Sequence, residues 1–333
     1  MKVKCTQPSA LPVVLYPAAA EAAAKQADIF WLPDEPDVEK DLGCVLTELT
    51  HPEKHGVLCT LKLFTLYELH AGVGYWGDRF LKIFPRFEFQ RMGLAFANIE
   101  MNVHAPFYMR IDELLGLNTP EFYESFIYNE TLAARMKFIQ ECVQHQNPLV
   151  SIAAFSLVEG CVLYSSFAFL MHFQANGKNK LPNLQSGLAF SVRDENLHAE
   201  SGAWAYRTLK HEMIQAGALS DQDITELNQY LLVIADTILQ HESEIINLVF
   251  SEGTIAGCSA TQMRHFVEHR LNICLDNLEV QNSYKPKYNP IADWFYPMIG
   301  GDAQHDFFYK VGSGYNRNWS ESKFTWATAG SLG

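Results

Sequence analysis

The hexapeptide RDENLH, residues 193–198, sets Asp194 beside Glu195 and puts His198 three residues further on. Residues three or four apart on a helix share a face, so Glu195 and His198 can reach a single point. A solvated helix face could carry the same letters, and the hexapeptide alone decides nothing. Three other stretches change the balance. Glu100 and His104 lie in FANIEMNVHAPFY, Glu68 lies in LKLFTLYELHAG, and Glu159 interrupts the very apolar SIAAFSLVEGCVLYSSFAFLMHF. Singly, Glu68 reads as a surface acid and Glu100 with His104 as a polar face. Glu159 is harder to dismiss, because a buried, unpaired charge is very costly. Four bundle helices that each supply a carboxylate, two of them adding a histidine one turn along, make a metal cage. Four carboxylates balance two divalent cations, and carboxylate with imidazole suits iron or manganese better than a thiolate-seeking ion.

Such a cage needs long helices, and the pattern supplies them. Helical spacing predicts segments over about 56–79 and 86–115. Asn118 or Thr119 with Pro120 then starts a helix to about His145, and Asn147 with Pro148 starts one to about Ala175. The helix holding RDENLH ends near Gly217. Ser220 with Asp223 opens another to about Phe250, and a last one spans about 259–282. Residues beyond it read as irregular. There is no repeat and no linker that would split the chain. The expectation is an all-α bundle over 56–283, with an N-terminal arm over 1–55 and a C-terminal segment over 284–333.

Composition narrows the function classes. The chain has 333 residues, 48% of them hydrophobic, and a formal charge of −13 without a basic run. That argues against nucleic acid and anionic membranes as partners. Seven scattered cysteines without a CxxC pair read as reduced thiols in a cytoplasm. Residues 151–173 have the length of a membrane span. Glu159 near their middle would cost roughly 2.5–3.5 kcal/mol in a bilayer, which favours a helix buried in protein. The N-terminal apolar run is short and broken by Pro12 and Pro17, unlike a signal peptide.

At these residues the chain resembles the radical-generating small subunit of class I ribonucleotide reductase, over about residues 28–318. VEGCVLYSSF resembles the helix that begins VEG and carries a single metal carboxylate, here Glu159. FSVRDENLH matches S-x-RDE-x-LH, which makes Glu195 and His198 ligands. DIFWLPDEPDVEKD resembles the N-terminal segment whose tryptophan, here Trp31, carries electrons. HAPFY puts Tyr108 at the radical tyrosine, and DFFYKVGSGYNR offers Tyr315 to the relay between subunits. The wording is most like phage-borne members, which would place the protein in a host cytoplasm.

The resemblance implies a ferritin-like bundle with a di-metal carboxylate site in its core, holding two iron ions, manganese with iron, or two manganese ions. Its ligands would be Glu68, Glu100, His104, Glu159, Glu195 and His198. Asp194 would accept a hydrogen bond from His104, as carboxylates behind metal-bound imidazoles do, and would link it to Trp31. The implied protein is a homodimer that docks by its C-terminal tail on a large catalytic subunit, which reduces ribonucleotides to deoxyribonucleotides. Three features depart from the pattern. Glu100 and His104 are four apart where three is usual, with Met101 at the usual glutamate position, and a one-residue π-bulge would re-aim the pair. The first ligand is most often Asp; among Glu68, His70 and Asp78, Glu68 fits best at 32 residues before Glu100. The tail SKFTWATAGSLG lacks the usual acidic stretch. A di-metal oxidase or oxygenase on the same bundle would not need Trp31 or Tyr315, and a metal-storage protein would not need Tyr108.

Overall fold

The computed structural model describes residues 2–9, 11–281, 284–285 and 287–299. Its helices are α1 (Pro17–Asp28), α2 (Leu42–Thr47), α3 (51–83), α4 (87–114), α5 (Pro120–Glu124), α6 (Glu130–Val143), α7 (148–171), α8 (Pro182–Gln215), α9 (Asp221–Val249), α10 (Ala260–Asn277) and α11 (Pro290–Met298). Among the described residues there is no strand, only an isolated bridge between Ile255 and Cys258. The fold is all-α.

The helix starts follow from local chemistry. Asn147 accepts from the Leu149 amide at the head of α7, with Pro148 in the first turn. Ser220 and Asp223 form a reciprocal capping box on α9, as Ser259 and Gln262 do on α10. A third box, Thr50 with Glu53, starts α3 at His51, five residues before the expected Gly56. The expected helix from Pro120 to about His145 is two helices. Thr119 caps the short α5, a 3₁₀ turn follows, and Asn129 caps α6. Residues 290–298, expected to be irregular, form α11, and α1 was not foreseen at all. The longest helix, α8, has no local cap because Leu181 before it is left-handed (φ 58°). Asp41 caps it from a distance, accepting from the Leu184 amide at 2.7 Å and the Asn183 side chain at 2.8 Å.

Three helices change pitch midway. Helix α3 turns π-helical over His70–Arg79, α4 over Glu100–His104 and α7 over Val158–Val162. The first two of these stretches meet. A Cβ on Gly72 would lie 2.7 Å from Met101 Cγ and 3.0 Å from Glu100 Cβ.

The core forms around α7, where every residue from 149 to 165 is buried. This is the one described helix long and apolar enough to cross a membrane, and nearly all of that stretch is covered by protein. It packs against α8 and α10, while α3 lies against α4 and α9. Helix α1 packs on the first half of α4. Where α8 crosses α4, Gly187 leaves room for the ring of Phe107, and a Cβ there would come within 2.2 Å of it.

Gly187→Ala should therefore force Phe107 to move and cost about 1–3 kcal/mol, as overpacking does. Denaturant unfolding of the apo-protein measures it; an unchanged midpoint would contradict this account of the crossing.

Candidate metal centre

Helices α3, α4, α7 and α8 bring Glu68, Glu100, His104, Glu159, Glu195 and His198 to one place in the core. All six are at most 1% exposed. They fall into two overlapping sets whose ligand-type atoms lie within 4.8 Å of one another. One set is Glu68, Glu100, His104 and Glu195; the other is Glu100, Glu159, Glu195 and His198. Glu100 and Glu195 belong to both. Of the three candidates for the first position, Glu68 faces this cluster. His70 is exposed, and Asp78 pairs with Lys82 at 2.6 Å.

The π turn over Glu100–His104 adapts the unusual spacing. Adding a residue to the turn rotates the side chains that follow, and His104 Nδ1 comes to 2.9 Å from Glu100 Oε2 and 3.0 Å from Glu195 Oε1. His198 Nδ1 lies 2.7 Å from Glu100 Oε1 and 3.4 Å from Glu195 Oε2.

The donor set fits a pair of cations. Both oxygens of Glu68 and of Glu195, one each of Glu100 and Glu159, and His198 Nδ1 are buried without a hydrogen bond. Ligand-type atoms from each four-residue set nevertheless lie within 4.8 Å of one another. Buried polar atoms are almost always satisfied, so a cluster of orphans at one point calls for a ligand. The electrostatics show the same demand for positive charge. Burial, then the charge on Glu100, pushes the Glu68 carboxyl well above its ordinary range. Burial, then Glu195, does the same to Glu159. Burial works against ionised Glu100 too, but His104 and His198 outweigh it and hold that carboxyl well below the usual range. Burial disfavours both imidazolium ions as well, but Glu100 in particular reverses it, raising His104 well above normal and His198 to about 9.

Behind the histidines sits a hydrogen-bonded frame. His104 Nε2 donates to Asp194 Oδ2 at 3.1 Å, and Trp31 Nε1 donates to the same oxygen at 2.7 Å. Gln26 donates to Asp194 Oδ1 at 3.1 Å and accepts from His198 Nε2 at 2.9 Å. Each imidazole thus spends its Nε2 proton outward and turns Nδ1 to the acids, the orientation a metal-bound histidine needs. Sequence reading missed Gln26, which carries no motif; its place five residues before Trp31 on α1 was the available signal. It also missed Trp76, in the π stretch of α3, which donates to Glu159 Oε1 at 3.0 Å.

Tyr108 lies one turn beyond His104, fully buried, with ring centroids 6.5 Å apart. Phe64 stacks on it at 4.5 Å and 9°, and Phe167 packs on Phe64. Among the described residues its hydroxyl makes no hydrogen bond of good geometry, and the Ser191 hydroxyl acts on it as a donor. Burial, then Glu68, pushes the phenol well above its ordinary pKa. Tyr315 lies outside the described residues, as do Tyr309 and Trp319.

A β subunit of ribonucleoside-diphosphate reductase from Mycoplasmoides gallisepticum is 25% identical over 309 residues, covering 91% of this chain and 86% of that protein. Among solved structures, the dimanganese(II) NrdF of Streptococcus sanguinis superposes with a TM-score of 0.71 at 20% identity, over 86% of this chain and 98% of that one. The R2 subunit of Clostridium botulinum superposes at 0.72 and 18% identity, over 85% and 88%. These likenesses give the fold as the ferritin-like bundle of those proteins. The model of the ribonucleotide reductase small chain matches residues 11–290, and with it this chain belongs to the ribonucleotide reductase small-chain family.

Proposed function

We propose that this chain is the radical-generating small subunit of a ribonucleoside-diphosphate reductase, active only with a large catalytic subunit. The observation that carries it is the pair of overlapping four-residue sets with Tyr108 one turn beyond His104. Glu68, Glu100, His104, Glu159, Glu195 and His198 would hold two ions of iron, of manganese, or one of each. When bound, the ions supply, with oxygen or a reduced oxygen species, the power to remove one electron.

The residues' own work is to position and protect. The Nε2 hydrogen bonds to Asp194 and Gln26 fix both imidazoles. The apolar surround of Phe64 and Phe167 keeps water from Tyr108. Because burial and Glu68 keep that phenol protonated, its oxidation to a tyrosyl radical must release the proton with the electron. The hydrogen-bonded line from His104 through Asp194 to Trp31 is a route for the oxidising equivalent toward the N-terminal arm over 1–55. Tyr315, in the segment over 284–333, would carry it to the large subunit, with the tail docking there. We place the subunit as a homodimer in the cytoplasm.

Glu159→Ala should lower bound metal from about two ions per chain to near one, because one ligand set loses its own carboxylate. Unchanged stoichiometry would remove Glu159 from the ligands. The same assay on Glu68→Ala should show a loss that His70→Ala and Asp78→Ala do not.

Tyr108→Phe should keep both ions but lose any sharp tyrosyl resonance and the activity. Trp31→Phe should keep the resonance and lose nucleotide reduction. An active Tyr108→Phe protein would move the stored oxidant onto the metals. Mixed with its large subunit the chain should support deoxynucleotide formation, and turnover by the chain alone would overturn the assignment.

A further inference from the structure

Arg270, on α10, is a cation buried to 3% exposure; among the described residues no carboxylate pairs with it directly, and Glu200, Tyr296 and Cys274 act on it electrostatically. A buried guanidinium without a carboxylate is expensive to keep. Its Nε donates to the backbone carbonyl of Gly160 at 2.8 Å, and its guanidinium lies 3.7 Å from the centre of the Tyr164 ring. Gly160 follows Glu159 inside the π turn over Val158–Val162, where the Leu163 amide bonds the Val158 carbonyl five residues back. A helix that enters and leaves π spacing leaves one amide and one carbonyl poorly served, and buried backbone groups must find partners. Arg270 brings a charged donor to that turn. The turn is also pressed tightly into place: a Cβ on Gly160 would lie 2.6 Å from Cys274 Sγ and 3.3 Å from Ala199 Cβ.

We propose that Arg270 is a positioning residue that holds the π turn of α7, and through it aims the Glu159 carboxylate at one of the two ions. Trp76 steadies the carboxylate itself from the opposite element, α3. Arg270 touches none of the six clustered acids and histidines and does not touch Tyr108; it reaches α7 through the Gly160 carbonyl and the Tyr164 ring. The inference rests on the proposed di-metal reading and adds an asymmetry to it. The set containing Glu159 and His198 depends on Arg270; the set containing Glu68 and His104 does not.

The test uses the full chain, loaded with Mn(II) and followed by metal titration and electron paramagnetic resonance, with thermal unfolding of the apo-protein alongside. Arg270→Gln should weaken one ion roughly 10- to 100-fold, the range for losing a group behind a ligand, and leave the other unchanged. At intermediate Mn(II) the variant should show the six-line signal of an isolated ion where the unaltered chain shows a coupled pair. Arg270→Lys, which keeps the charge but not the planar guanidinium, should fall between the two. Equal affinities and unchanged spectra in Arg270→Gln would overturn the proposal. So would parallel weakening of both ions with a lowered apo unfolding temperature, which marks a general structural role. Should Arg270→Gln fail to fold, Arg270→Lys decides: weakening confined to one ion supports the proposal, and any other result overturns it. Failure of the unaltered chain to bind two ions would instead sink the di-metal reading.

Discussion

Four carboxylates at one point in an apolar bundle cannot all be ionised without compensating positive charge. That constraint organises the molecule. Among the described residues, no lysine or arginine pairs with the cluster's acids; the two histidines do. Their effect falls unevenly, with Glu100 held low between both imidazoles while Glu68 and Glu159 at the flanks are driven up. Two divalent ions would lift the conflict for all four acids at once. The apolar character of α7 is then what makes the site selective for charge: water is too scarce there to solvate the acids instead.

The π turns answer a second constraint, that of aim. An α-helix offers a carboxylate and an imidazole at fixed angles of about 100° per residue, and a cage drawn from four helices rarely finds all its ligands at those angles. One inserted residue adjusts the angle without ending the helix. The stretches fall at the clustered acids and histidines: Glu100 and His104 bound one, Glu159 sits second in another, and the third begins two residues after Glu68. Each irregular turn then needs support from outside its own helix. Gly72 lets the stretch of α3 rest directly on Glu100 and Met101, and Arg270 reaches the turn of α7 from α10.

Much of this was legible in the sequence because short-range chemistry fixed it. Asn147 with Pro148 and Ser220 with Asp223 cap helices through neighbours a few residues away, so their letters suffice. Glu68, Glu100, Glu159 and Glu195 could be read as convergent because acids in apolar helices have few other uses. What escaped depends on distant partners. Asp41 caps α8 across 143 residues of sequence, and nothing near Leu181 announces it. The Thr50–Glu53 box is local, but it lies ahead of the apolar period that marks the helix. Helix α1 is mostly alanine, which carries little apolar periodicity of its own; packing on α4 gives it its place. Gln26 and Trp76 are single polar atoms on buried faces, and only the assembled bundle assigns them a partner.

Gln26 also changes how the frame behind the site is understood. Through Trp31 and His104, Asp194 looks like one link in a line from the surface arm to one ligand set. Gln26 ties the same carboxylate to His198 in the other set, so one buried acid orients both imidazoles. Its second oxygen cannot be lost without disturbing Trp31 as well, since that oxygen accepts from both Trp31 and His104. The orientation of the histidines and the hydrogen-bonded line to Trp31 are therefore not separable. Helix α1 supplies Gln26, and the chain just past its end supplies Trp31, so a shift of this helix against α4 would loosen the histidines and that hydrogen-bonded line together. The backbone amides of Leu15 and Tyr16 bond Glu88 at the start of α4, at 3.0 and 3.3 Å, and so pin the segment that leads into α1. The N-terminal arm is thus part of the metal site's own scaffold, acting on the cluster through Asp194 and His198.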